Sequence, residues 1–322
     1  MRLARRRWLQ AALLGGLGTL LGRDDPGLRL YRRAGHAFGT DVSITVAAPH
    51  ERSAEAALDA AFHEIRVVER AAALFAPRSE IARLNSQGRL DEPSPLLLDL
   101  LGFAAKLHDL SAGAFDCTIQ PLWRCYADAL AVSRLPTAED LASACRRVDQ
   151  NGLSFGRREV RLLERDMGVT LNALAQGYAA DRVASVLRRH EAAAAFIDTG
   201  ELGALGRHPE GRPWKMALAE EGNRLLPFSR PAFVATSADS KLSFTADRRL
   251  HHILDPRSAR SPSELAAVTV VADSGLVADG LSTALMLVGS ARAAALLQAF
   301  PGAAASLVTK DRRVLTFGNF PS

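Results

Sequence analysis

The chain has 322 residues, 48% of them hydrophobic and 23% charged, with a net charge of +5 and a mean hydropathy of +0.01. That length and balance fit a soluble, globular protein with a sizeable core. Much of the positive charge is local, at Arg2, Arg5, Arg6, Arg7, Arg23, Arg29, Arg32 and Arg33, and only three Tyr and three Trp are present. Nucleic-acid binding therefore has neither a basic face nor stacking platforms to rest on.

From Met1 to about Gly22 the chain reads as an export signal. Ala4-Arg-Arg-Arg-Trp-Leu-Gln10 precedes an apolar run, Ala11 to Leu21, that is interrupted by glycines and too short to span a bilayer. The paired arginines ahead of Trp8 resemble a twin-arginine signal, which predicts a periplasmic mature chain from about residue 26, with an uncleaved membrane anchor as the alternative. Cys117, Cys125 and Cys145 form an odd set without metal-type spacing. They allow one disulfide with a spare thiol, or three free cysteines.

Ala37 to Ala47 alternates apolar and polar residues and predicts the first strand of a half-buried sheet. Ala57, Leu58, Ala61, Phe62, Ile65 and Val68 recur at helical spacing in a long helix, Glu55 to Leu74, that ends before Pro77. Ser79 opens a short helix to Asn85, and Leu96 to Leu110 is a second amphipathic helix. Gly113 to Trp123 is irregular and turn-rich, the kind of surface loop from which functional segments are drawn. A Thr137-capped helix, Pro136 to Arg147, and a short hairpin, Leu153–Phe155 with Val160–Leu163, follow.

Gly168 to Val183 predicts a strand end running into a helix that continues to His190. Asn172 to Gly177 lies at the turn, where backbone amides can meet a phosphate. Strands are expected at Ala194–Asp198, Trp214–Leu218 and Phe233–Asp239, with Gly200–Gly206 a glycine-rich loop. His251 to Arg257 reads as a short strand, whose alternation puts the two His rings on opposite faces, so that only one can point into a site. From Val268 a β-branched run changes at Asp279 to helical spacing through Leu281, Ala284, Leu285, Leu287 and Val288. A helix, Ala291–Phe300, and strands at Ala304–Val308 and Val314–Thr316 close the chain. This intermixed order predicts an α+β fold.

Asp279, Ser282 and Thr283, three and four residues apart, share one face of a helical turn. One carboxylate and two hydroxyls are too few for a closed calcium site but suit magnesium, which keeps waters and takes further ligands from a substrate phosphate. The same residues also fit a helix N-terminus at which Asp and Ser/Thr satisfy orphan amides. Asp116, Asp239 and Asp255 could equally satisfy turn amides.

Taken together, short blocks in a fixed order say more. Phe38-Gly-Thr40, Phe75-x-x-x-Ser-Glu-Ile-x-x-Leu-Asn85, Gly113-Ala-Phe-Asp-x-Thr118, Thr170-Leu-Asn-x-x-Ala-x-Gly-Tyr-x-x-Asp181, Gly211-x-Pro-Trp214, Ala235-Thr-Ser237, His251-His-x-x-Asp-Pro-Arg257 and Val268-Thr-Val with Ala278-Asp-x-x-x-Thr-Ala284 run from Ala37 to about Pro301. This chain resembles the ApbE-like FAD:protein FMN transferases. The resemblance implies an α+β domain over residues 26–322, with mixed sheets, packed helices and a flavin site in a cleft between subdomains.

It also implies Mg2+-dependent transfer of FMN from FAD to a Ser or Thr of an acceptor flavoprotein in an exported or membrane-bound electron-transfer system, with AMP leaving. By block matching the metal site falls on Asp279 and Thr283, with Ser282 nearby and the carbonyl of Ala173. Flavin contacts fall on Phe38, Phe75, Ala114, Phe115, Asp116, Thr170, Gln176 and Leu254. His252 is the candidate proton acceptor for the incoming hydroxyl, since an imidazole near neutrality suits that task.

The turn that commonly reads Asp-Leu-Gly-Gly-Ile-Ala-Lys-Gly-Tyr in that family is Thr170-Leu-Asn-Ala-Leu-Ala-Gln-Gly-Tyr178 here, so a carboxylate and an ammonium are both replaced by neutral groups. The usual Gly-Gly is Gly200-Glu201, and Thr-Ser-Gly-Asp-Tyr is Thr236-Ser-Ala-Asp-Ser240. A divergent subgroup fits these changes, as do an FAD pyrophosphatase and a non-catalytic flavin-binding assembly factor.

Overall fold

The computed structural model describes residues 27–321 apart from Ser229, so the export signal expected over 1–25 lies outside the described residues. Among the described residues no helix is long and apolar enough to cross a membrane.

The first two strands, β1 (Arg29–Ala37) and β2 (Thr40–Ala48), form a hairpin turned by Phe38 and Gly39, whose φ values are 52° and 78°. A two-residue turn matching the strand twist needs positive φ at both positions, which glycine adopts freely and phenylalanine only at a cost. The strand expected over Ala37–Ala47 is thus the second arm of a hairpin. Helix α1 (Glu51–Ala72) buries Ala54, Leu58, Ala61, Ile65, Val68 and Ala72 along one stripe. Ser79 caps α2 (Glu80–Gln87), its Oγ accepting the Ala82 N–H at 3.1 Å.

Next come β3 (Arg89–Asp91), α3 (Pro95–Ser111), α4 (Gln120–Ala131) and α5 (Ala138–Cys145), the last opened by a capping box between Thr137 and Asp140. Helix α4 begins inside the segment read as irregular, with Pro121 in its first turn, where a missing N–H costs nothing. The small sheet β3-β5-β4 uses β4 (Leu153–Phe155) and β5 (Glu159–Leu162).

Helix α6 (Ala175–Arg189) leads into β6 (Ala194–Asp198), β7 (Leu202–Leu205), β8 (Trp214–Leu218), β9 (Arg224–Phe228) and β10 (Ala232–Ala238). The expected glycine-rich loop therefore contains β7, while residues 168–172 are not in a strand. Nor is His251–Arg257 a strand: only isolated bridges form there, Ser243 with His251 and Asp255 with Arg260. The chain ends with β11 (Leu265–Ala272), α7 (Gly275–Val288), α8 (Ser290–Gln298), β12 (Ala304–Thr309) and β13 (Val314–Phe317).

Eight strands make one antiparallel sheet in the order β1-β2-β6-β7-β10-β11-β12-β13. Its two faces differ because side chains alternate along each strand. Val42, Ile44, Ile197, Phe233, Val268, Val270 and Leu307 join the core under α1, α3, α6 and α7. The opposite face offers Ala47, Ala194, Ala204 and Ala232, and onto these small side chains the β8-β9 hairpin lays Trp214, Met216, Leu226 and Phe228.

Register then gathers the β1-β2 turn, the β6-β7 turn at Thr199–Glu201, the end of β10, the start of β11 and the β12-β13 turn at one end of the sheet. Helix α7 leaves β11 at the far end and runs back toward that cluster.

Candidate active site

The register of α7 decides what Asp279 does. The helix starts at Gly275 rather than at Asp279, and its N-terminus is capped by other groups. Ser274 accepts the Val277 N–H at 3.3 Å. Asp181, on α6, accepts from the Ser274 hydroxyl at 2.7 Å and from the Gly275 and Leu276 amides at 2.7 and 2.9 Å. With the orphan amides satisfied, Asp279 in the second turn is released from capping.

Its Oδ2 instead accepts the Gly177 N–H of α6 at 2.9 Å. The two helices meet backbone to backbone: a Cβ on Gly177 would stand 2.1 Å from the Gly275 carbonyl oxygen. The Gly177 amide, expected among those open to a phosphate, is thereby occupied.

Around Asp279 lie hydroxyls. Ser237, near the end of β10, has its Oγ 2.8 Å from Ser282 Oγ and 3.0 Å from Thr283 Oγ1. Ser282 donates its one proton to the Asp279 carbonyl at 2.8 Å. The chain of donors therefore runs from Thr283 to Ser237 to Ser282, which uses the Thr283 proton and keeps its lone pairs for another partner. Ser282, 1% exposed, braces this arrangement from inside.

A second carboxylate, given no site role in the sequence reading, completes the charge pattern. Glu201 is 6% exposed. Its Oε2 accepts the Thr236 N–H at 3.1 Å, and its Oε1 lies 3.5 Å from Lys241 Nζ. Burial raises the Glu201 carboxyl above its ordinary range, against the pull of Lys241. Burial also raises Asp279 well above its range, with the nearby Glu201 charge adding to the effect.

Two enclosed carboxylates and one lysine leave room for a cation, and every donor at hand is a hard oxygen. Among the described residues no group of three or more His, Cys, Asp or Glu could hold a metal. Asp279, Thr283 and the Ala173 carbonyl are hard-oxygen donors that could hold only an ion keeping waters and taking further oxygens from a ligand, the coordination habit of magnesium. Ala173 is half-buried in the turn before α6.

The predicted flavin contacts fall into four groups. Gln176 belongs with Asp279: its carbonyl accepts the Thr199 hydroxyl at 2.9 Å, and its amide lies against Gly200, where φ is 97° and a Cβ would come within 2.1 Å of Nε2. Thr170 and Asp116 are joined through the loop before α4, since the Thr170 N–H donates to the Cys117 carbonyl at 2.8 Å. Asp116 Oδ1 accepts from the Thr118 amide and hydroxyl at 2.7 and 2.6 Å, and burial still raises its carboxyl. Phe38 and Phe75 flank the C-terminal end of α1, where the Phe38 N–H donates to Glu69 at 2.9 Å. Phe75 is 76% exposed, an open aromatic face.

Ala114, Phe115 and Leu254 differ, for their side chains are buried in core clusters. Any ligand contact there runs through the main chain rather than through a stacked Phe115 ring.

His252 donates Nδ1–H to the Leu242 carbonyl at 3.1 Å, because a carbonyl only accepts, and this leaves the lone pair on Nε2. Atoms packed around the ring push its pKa down to about 4, so the near-neutral imidazole expected from sequence is corrected to a neutral, weakly basic one. His251 is fully buried, with Nε2 against the Pro262 carbonyl at 3.3 Å. A polar groove of about 980 Å3 between α2, α4, α5 and residues 162–167 is lined by none of the predicted site residues.

Sequence reading gave no site role to Glu201, Ser237, Lys241 or Asp181, although Ser237 and Asp181 stand in the ordered blocks and Glu201 among the departures from them. A lone glutamate heading the apolar run Leu202-Gly-Ala-Leu205 was a readable signal for Glu201.

Known proteins share this architecture. The model of the ApbE family matches residues 38–307. The FAD:protein FMN transferase of Treponema pallidum is 28% identical over 94% of this chain and 90% of its own, and that of Vibrio cholerae 29% identical over 91% of each. Among solved structures, the apo flavinyl transferase ApbE of Pseudomonas stutzeri superposes with a TM-score of 0.77 at 27% identity, covering 90% of this chain and 94% of that one. The ApbE protein of Thermotoga maritima, 24% identical with a TM-score of 0.78 over 91% and 98%, shares the fold. A family match spanning most of the chain, on an α+β frame that brings the α6 turn, the end of β10 and α7 together, makes this protein a member of the ApbE family.

Proposed function

We propose that this chain transfers FMN from FAD to a Ser or Thr hydroxyl of an acceptor redox protein and releases AMP. The hydroxyl oxygen attacks the FMN-side phosphorus, the bond to the bridging oxygen breaks, AMP leaves with that oxygen, and the hydroxyl proton passes to a base. The observation that carries this reading is the enclosed Asp279 carboxylate, set against α6 by the Gly177 amide beside the open oxygen of Thr283.

Asp279, Thr283 and the Ala173 carbonyl would hold Mg2+, which when bound neutralises pyrophosphate charge. Glu201 and Gln176 lie close to Asp279, and the exposed Phe75 offers a face for an aromatic ring of the dinucleotide. His252, neutral with its Nε2 lone pair free, would be the acceptor of the hydroxyl proton. The twin-arginine-like start of the chain supports an acceptor among exported or membrane-bound electron-transfer proteins.

Purified protein incubated with FAD and Mg2+, with and without co-expressed exported redox proteins, tests the reading by AMP release and by mass spectrometry of Ser/Thr adducts. An acceptor-dependent FMN adduct is expected. AMP release without acceptor would instead make the protein a pyrophosphatase, and bound FAD with neither product an assembly factor.

A further inference from the structure

Lys241 is a cation with no settled partner at the candidate site. Its Nζ stands 3.5 Å from Glu201 Oε1, longer than a charge-assisted hydrogen bond normally runs, and its side chain is 49% exposed while that of Glu201 is 8% exposed. The ammonium therefore has a resting place on a fixed, enclosed carboxylate and an open side toward solvent.

Its backbone is held as well. The Lys241 N–H donates to the Ala238 carbonyl at 3.3 Å, and the next residue, Leu242, receives both the His252 amide at 3.0 Å and its imidazole at 3.1 Å. Glu201 is anchored in turn by the Thr236 amide, one residue from the Ser237 that braces Ser282 and Thr283. Lys241 is thus linked through Glu201 to the strand end that braces the Asp279 group and through Leu242 to His252, and its charge is felt by Asp279, Glu201 and His252 alike.

Meanwhile the α6 turn offers only neutral groups, Thr170, Asn172 and Gln176, and Gln176 is packed on Gly200. A substrate bearing two phosphates needs positive charge that this turn does not supply.

We infer that Lys241 is the protein's own cationic contact to the pyrophosphate of the bound dinucleotide, its ammonium leaving Glu201 for a phosphate oxygen. This rests on the FAD-dependent reading above. As a point charge on a flexible stem, lysine can make that exchange without a fixed geometry.

The test is equilibrium titration of the full chain with FAD and with riboflavin, which shares the ring but carries no phosphate, following flavin fluorescence for wild type, Lys241→Met and Lys241→Arg. Lys241→Met is expected to weaken FAD about 10-fold or more and riboflavin less than 2-fold, with the preference for FAD growing smaller as salt is raised in wild type and Lys241→Arg but not in Lys241→Met. Lys241→Arg, which keeps the charge, is expected to retain most of the preference, and thermal unfolding should be alike in all three.

A preference for FAD that survives Lys241→Met overturns the assignment alone, as does a Lys241→Arg protein no better than Lys241→Met. A wild type that binds FAD no more tightly than riboflavin overturns the flavin-dinucleotide reading and this assignment together.

Discussion

A carboxylate enclosed to 4% exposure, with one main-chain amide as donor, is costly to keep as an anion unless a positive partner arrives. Asp279→Asn retains an oxygen for the Gly177 amide while removing the charge. FMN transfer should fall by more than about 100-fold, and the thermal midpoint should hold or rise; a midpoint that drops by many degrees would mean that Asp279 is chiefly structural. His252 behaves oppositely, since burial favours its neutral form. Its folded pKa of about 4 lies below the ordinary 6.5, so between those values the unfolded chain binds the extra proton and stability falls as pH falls through that window. Several carboxyls raised by burial, Asp116 and Asp181 among them, slope the other way. The isolating measurement is therefore the difference between wild type and His252→Gln in unfolding free energy from pH 7 to 4, which should shrink on acidification.

At the level of elements, the junction of α6 and α7 sets the site. Asp181→Ala removes the acceptor for one hydroxyl and two amides at the start of α7 and should cost about 1–2 kcal/mol in urea unfolding, with Asp181→Asn milder. Gly177→Ala forces a methyl to within 2.1 Å of the Gly275 oxygen, so the helices must part, at about 1–3 kcal/mol and with loss of activity. A Gly177→Ala protein of unchanged stability would disprove that contact. Local elements were legible because their signals are local: the stripe of α1, the Ser79 cap and the Thr137–Asp140 box each lie within a few residues. What escaped is what depends on distant partners. Asp181 caps a helix more than 90 residues later in the chain, and this shifts the start of α7 ahead of Asp279. The first arm of the β1-β2 hairpin was hidden because a phenylalanine with positive φ is not a turn signal. Likewise Glu201, Ser237 and Lys241 meet Asp279 and its neighbours only once the sheet register is set.

Across the whole molecule, a bound cation and dinucleotide would tie α6, α7 and the ends of several strands into one unit. Ligand at about 100 times its Kd adds about 2.7 kcal/mol to stability, so FAD with Mg2+ should raise the wild-type thermal midpoint by several degrees and a chelator should reverse it. In Asp279→Asn the shift should vanish; an undiminished shift would place the ion elsewhere. The family and the α+β class were readable because ordered blocks span nearly the whole chain, whereas the β8-β9 hairpin that covers the alanine face of the sheet gave only half of itself, through Trp214–Leu218. One consequence of gathering the strand connections at a single end remains. Asp279 and Thr283 sit on a packed helix and Ser237 on a paired strand, while Phe75, Ala173, Lys241 and His252 ride on the segments between them. Insertions or deletions in those connecting segments should therefore reshape the rim of the site while the Asp279–Ser237–Thr283 cluster keeps its place, so that a lineage can vary what reaches the cluster without rebuilding it.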